Sequence, residues 1–266
     1  MDREKVSYII PLWFKTESWE IEASLNSLKS ESSLISEIII VFDGHKSFSK
    51  EFKIPDEFLK KIIFVYCFIN RGPGIARNKG SIFSKSKYLF FLDSGDLSCK
   101  NRISKELSYL KKYNAVYGDI IEILPNQTRR VKKGAKNSLK AKKIIAFRSP
   151  YNNVTLAIRK KDFYYLGGFS SLRFGEDWIL IGKILKNKLK IISIDQILVE
   201  VNIGSSFLER RTGIKILNDI FKCLKELKKM HIINYFDYII SLFFQLITRL
   251  ILPKTIVKII YKLLRN

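Results

Sequence analysis

The stretch Lys87-Tyr88-Leu89-Phe90-Phe91-Leu92-Asp93-Ser94-Gly95-Asp96 decides how the rest of this chain reads. Its apolar half is a short continuous run, the pattern of a strand buried on both faces of a parallel sheet. Its acidic half falls where that strand ends. Ligands of open α/β sheets gather outside the carboxyl ends of the strands, so Asp93 and Asp96 are placed to meet one, and such a pair can hold a divalent cation. The alternative is that they cap the helix that follows, since Asp is a favoured N-cap. A second acidic pair stands in Phe174-Gly175-Glu176-Asp177-Trp178. The chain thus offers one acidic site for a metal and another for a base.

Working outward, short apolar runs alternate with helical periodicity through the first half, as in βα units that build a parallel sheet. Strands are predicted over 6–10, where Pro11 stops the run, and over 37–42, 62–68 and 87–92. A helix over 18–30 carries Ile21, Ser24, Leu25 and Leu28 at 3.6-residue spacing. Gly72-Pro73-Gly74 opens another helix, and 100–112 forms a fourth. Further strands are expected over 115–124, 154–159, 190–194 and 197–202, with helices over 161–166 and 178–187. The expectation is an α/β domain over 1–205, a Rossmann-like, mostly parallel sheet flanked by helices, and a helical extension over 206–266.

With 266 residues, 47% of them hydrophobic, the chain can bury one full core. Cys67, Cys99 and Cys223 are scattered without metal-ligand spacing, and His45 and His231 stand far apart, so a zinc site is not expected. Any metal is expected to be a hard cation on oxygen ligands, Mn2+ or Mg2+.

The net charge of +23 calls for an acidic partner: nucleic acid, anionic lipid or a phosphorylated substrate. Nine Lys or Arg and no acid lie from Arg129 to Arg148, read as a mobile basic loop. Twelve more run from Arg210 to Arg265, mixed with long apolar stretches. No zinc-finger or RNP-like signature is present, and the aromatics are not interleaved with the basic stretch, so nucleic acid is not the expected partner.

In the extension Phe236, Ile239, Ile240, Phe243, Phe244, Ile247, Leu250 and Ile251 take one helix face, while Asp237, Ser241, Gln245, Thr248 and Arg249 take the other. Pro253 ends that helix, and Lys254, Lys258 and Lys262 mark a last, basic amphipathic helix. Such helices lie in an anionic membrane surface; the alternative is a helical pair packed on the core. The apolar run falls short of the ~20 residues of a spanning helix. With no leader visible at Met1, the expected location is the cytoplasmic side.

Ile9-Ile10-Pro11, Ile40-Val41-Phe42-Asp43-Gly44, the run from Asn70 through Arg77 to Gly80, Phe91-Leu92-Asp93-Ser94-Gly95-Asp96, Gly167-Gly168-Phe169 and Gly175-Glu176-Asp177-Trp178 occur in an order and spacing that resemble the inverting family 2 glycosyltransferases of GT-A fold, bacterial O-antigen and capsule enzymes above all. The resemblance implies transfer of a hexose (Glc, Gal or an N-acetylated form) from a UDP-sugar to a lipid-diphosphate-linked saccharide, at the cytoplasmic face of a bacterial inner membrane. It implies that Asp43 accepts the uracil N–H, with Pro11 and Trp13 walling the base pocket, and that Arg77 steadies the nucleotide or its diphosphate. Asp96, assisted by Asp93, is implied as metal ligand, Asp177 as general base, and Glu176 as a donor or acceptor contact or a helix cap. Phe42 and Gly95 stand where many members carry an acid, and Asn153 where related sequences often have His. A scaffold without catalysis is the alternative those positions raise.

Overall fold

The computed structural model describes residues 4–44, 51–204 and 213–251. The predicted basic helix after Pro253 lies outside them. Its strands are β1 (Val6–Trp13), β2 (Ile35–Asp43), β3 (Ile62–Cys67), β4 (Tyr88–Phe91), β5 (Leu97–Ser98), β6 (Ala115–Ile123), β7 (Arg129–Lys132), β8 (Ala157–Arg159) and β9 (Ile191–Asn202). They form one sheet in the order β3-β2-β1-β4-β8-β6-β9-β5, with β7 pairing on β6. The pairs β1–β2, β1–β4, β2–β3 and β6–β9 are parallel; β5, β7 and β8 run against their neighbours. The mostly parallel sheet expected from the sequence is therefore present.

Both faces of the sheet are covered. Because side chains alternate along a strand, Tyr8, Ile10 and Leu12 of β1 and Ile38, Ile40 and Phe42 of β2 share one apolar cluster. Helices α1 (Ser18–Ser27) and α3 (Arg102–Leu110) bring Ile21, Leu25, Ile103 and Leu107 to that cluster. Ile9, Ile39 and Val41 point to the other face and meet residues of α2 (Pro73–Phe83) and α6 (Glu176–Lys186). The first helix of the extension, α7 (Ile214–Lys229), places Ile220, Cys223, Leu224 and Leu227 in that same second cluster.

Three expectations are corrected. Pro11 does not stop β1, which runs on to Trp13 beside β2. Pairing with β4 ends at Ile9, whose carbonyl accepts the Leu92 N–H, so Pro11, two residues on, turns its donorless nitrogen to a side where no ladder bond is lost. The two strands expected over 190–202 are one strand, β9, with its register on β6 shifted around Gly118 and Asp119. The basic stretch is no loop: it forms β7 and then α4 (Ser138–Ile144). Arg129 pairs with Glu200, Arg130 with Glu122 and Lys133 with Asp195, while Ala135, Ala141, Ile145 and Ala146 are buried.

Helix α5 (Lys160–Tyr165) follows β8, and α8 (Tyr235–Leu246) follows α7, passing into a π-helical turn over Ile247–Ile251. The faces of α8 are placed against the usual rule. Ser241, Gln245, Thr248 and Arg249 are buried, whereas Phe236 is 71% and Phe243 62% exposed, and Ile240, Ile247 and Leu250 are exposed as well. The polar side grips the domain, with Ser241 Oγ donating to the Ala146 carbonyl and Gln245 Nε2 donating to the Phe147 carbonyl at 2.8 Å. The apolar face is divided: Phe244 packs edge-on against Phe147, while Phe236, Ile240, Phe243, Ile247 and Leu250 face away from the domain. Among the described residues no helix is long and apolar enough to cross a membrane.

Candidate active site

A cleft of about 990 Å³ opens at the carboxyl ends of the parallel strands, where chain geometry gathers loops from β1, β2 and β4. Pro11, Trp13, Asp43, Arg77, Asp93, Glu176 and Asp177 all line it. Residues from the first strand to the sixth helix thus meet in one cavity. Asp96 is not among its lining residues.

Asp43 ends β2, and its two carboxylate oxygens accept the backbone N–H groups of Arg71 and Gly72, each at 3.0 Å. It shapes the loop before α2 while bordering the cleft. Pro11 and Trp13 stand beside it on β1, Trp13 being 40% exposed.

Arg77 lines the same cleft and is not a solvent-exposed cation of its helix. It is 3% exposed, and its two terminal nitrogens are held by Asp93 Oδ1 at 2.5 Å and Glu176 Oε1 at 3.1 Å. Burial alone would lower its pKa, but those two carboxylates outweigh it and hold the guanidinium above its ordinary value. Expected to steady the nucleotide or its diphosphate, Arg77 also ties the end of β4 to α6. Gly74 permits the tie, since a Cβ there would come within 2.8 Å of the Ser170 carbonyl and 3.0 Å of Glu176 Cγ.

Glu176 and Asp177 begin α6, yet they face different surroundings. Glu176 is buried, and burial first, then the adjacent Asp177, pushes its carboxyl up to about 7 against the pull of Arg77. Asp177 is half-buried in the cleft wall and accepts a 2.7 Å hydrogen bond from Ser149 Oγ. Trp178 is buried in the core.

The capping alternative for Asp93 and Asp96 fails. Helix α3 starts at Arg102, and its first amides, those of Ile103 and Ser104, are taken by Glu31 at 2.9 Å. Asp96 is buried with no hydrogen-bond or ion-pair partner for its carboxyl among the described residues. Burial, then Asp93, raises its pKa well above the carboxylate range. Two acids so placed suit a hard divalent cation, which takes one or two carboxylates and completes its shell with phosphate and water. No group of three or more metal-binding side chains occurs among the described residues.

Sequence reading missed several residues that line the cleft. Glu20 of α1 is one: a Cβ on Gly95 (φ +90°) would lie 3.3 Å from its Oε1, so Glu20 brings a carboxylate beside the position where Gly95 lacks one. Arg148, Ser149, Tyr151 and Arg249 are others. Glu20 stands outside the apolar spacing of its helix and carries no motif, and nothing local distinguishes Arg148 from the other cations of its stretch.

A cleft at a parallel sheet edge, with acids at one strand end and a separately held carboxylate at a helix start, marks the ligand site of an α/β protein. The sequence profile described as Glycosyl transferase family 2 matches residues 7–174, and the chain belongs to that family. It is 26% identical over 276 residues, covering 98% of this chain and 96% of the relative, to a UDP-Gal:alpha-D-GlcNAc-diphosphoundecaprenol beta-1,3-galactosyltransferase of Escherichia coli. It is 24% identical over 211 residues, 78% of this chain and 79% of the relative, to the amylovoran biosynthesis glycosyltransferase AmsE of Erwinia amylovora. The crystal structure of S. aureus TarS 1-349 in complex with UDP-GlcNAc superposes with a TM-score of 0.65 at 16% identity, over 92% of this chain and 73% of that one. The fold is GT-A.

Proposed function

We propose that this glycosyltransferase moves one hexose from a UDP-sugar to a lipid-diphosphate-linked saccharide in the assembly of a bacterial surface polysaccharide, O-antigen or capsule. The observation that carries the reading is α8, whose polar side lines the cleft while its apolar side faces outward. A soluble acceptor requires no such helix. The relative from E. coli, matched along nearly its whole length, is named for a diphosphoundecaprenol acceptor and supports the same reading.

Asp43, Pro11 and Trp13 receive the uracil base, and Asp93 borders the diphosphate. Asp93 and Asp96 are the residues that would hold Mn2+ or Mg2+, which neutralises charge on a departing nucleoside diphosphate. Asp177, oriented by Ser149, takes the proton of the acceptor hydroxyl as that oxygen attacks the anomeric carbon. A single displacement inverts the configuration. Arg77 fixes Asp93 relative to Glu176, so the donor side and the base keep their spacing. The outward face of α8 and the cations of α4 rest on anionic lipid at the cytoplasmic face of the inner membrane.

The test is a thermal-shift screen of UDP-Glc, UDP-Gal, UDP-GlcNAc and UDP-GalNAc with and without manganese, followed by transfer to a synthetic lipid-diphosphate saccharide. Stabilisation by a UDP-sugar and an inverted product linkage are expected. No stabilisation by any of these donors, with no transfer, would refute the reading.

A further inference from the structure

Arg148 plays no role in the donor site or the base, and its surroundings give it one. It follows α4, is half-buried and lines the cleft, and its guanidinium has no hydrogen-bond, ion-pair or ring partner among the described residues. Other cations of the same stretch, Arg129, Arg130 and Lys133, are paired with acids. Burial lowers the pKa of Arg148, and no nearby carboxylate offsets it. An arginine on the cleft wall without a counter-charge offers its planar fork to two oxygens of a phosphate.

The neighbours say which phosphate. Ser149, the next residue, donates to Asp177 Oδ2, and the carbonyl of Phe147, the residue before, accepts from Gln245 Nε2, so Arg148 belongs to a stretch of cleft wall held between the base and α8. Gln245, Thr248 and Arg249 line the same cleft from α8 and its π-helical turn. The other side of that helix exposes Phe243, Ile247 and Leu250.

We propose that Arg148 binds the phosphate nearest the sugar of a diphosphate-linked acceptor, whose lipid then leaves the cleft along α8. This rests on the proposed acceptor class. An anionic lipid headgroup offers the same phosphate chemistry, and the test separates the two.

The full chain is assayed with the same UDP-hexoses and a pair of acceptors. Both carry N-acetylglucosamine on a dodecyl chain, one through a diphosphate and one through a direct glycosidic bond. Arg148→Gln is expected to raise KM for the diphosphate acceptor about tenfold while KM for the donor and for the neutral glycoside stay unchanged. Arg148→Lys, which keeps the charge, recovers part of the loss. Binding to anionic vesicles is unchanged in both variants. Equal changes for both acceptors, or no change for either, overturn the proposal, as does lost vesicle binding with KM preserved. A wild-type enzyme that uses neither acceptor removes the acceptor class and this proposal together; turnover with an indifferent Arg148→Gln removes this proposal alone.

Discussion

Glu176 and Asp177 are adjacent in sequence, yet one is buried against Arg77 and the other borders the cleft beside Ser149. The sequence marked both as acids at a helix start, and Asp177 stands where a base can act. The Arg77 tie was not legible, because it joins residues 99 apart and depends on the side chain that Gly74 lacks. Asp177→Asn keeps the shape and removes the base, so kcat should fall roughly 10²–10⁴-fold while UDP binding by calorimetry persists. Glu176 gives a pH prediction. Its folded pKa of about 7 lies above the unfolded value near 4.5, so the folded chain holds that proton more tightly. The stability this contributes is full below about pH 4.5 and is lost as pH rises through about 7. Glu176→Gln is neutral at every pH, so its Tm relative to wild type should climb between about pH 5 and about pH 8. A constant difference would contradict the assignment.

At the scale of elements, the strands that line the donor side were readable because their apolar runs are short, continuous and buried on both faces. What sequence could not supply was pairing. Arg129–Lys132 became β7 because Glu122 and Glu200 on β6 and β9 answer its arginines, a match between distant strands that no local pattern contains. For α8 the periodicity fixed two faces but not which would turn inward, since an apolar stripe on a helix more often meets a core. The carbonyls of Ala146 and Phe147, just beyond α4, receive Ser241 and Gln245 and settle the orientation. Phe243→Glu with Leu250→Glu alters only the outward face. This double variant should keep its Tm and its KM for a UDP-sugar but lose sedimentation with phosphatidylglycerol vesicles; unchanged sedimentation would rule out α8 as the lipid contact.

Over the whole molecule, the charge of +23 is not spread evenly. Acids concentrate where structure uses them: Asp43 holds a loop, Glu31 caps α3, Glu106 pairs with buried Arg102, and Asp93 and Glu176 share Arg77. Lys140, Lys142 and Lys143 of α4 remain exposed, close in sequence to the residues on which α8 rests. A surface charge near anionic lipid contributes about 1 kcal/mol and is screened within a Debye length of about 8 Å at physiological salt. Replacing those three lysines by Gln should therefore weaken vesicle binding roughly a hundredfold at low ionic strength and far less at high salt. The α8 double variant removes apolar area instead, so its loss should persist at high salt. Measuring both variants across a salt series separates the two contributions, and a lysine variant whose deficit does not shrink with salt would show that α4 holds no lipid charge.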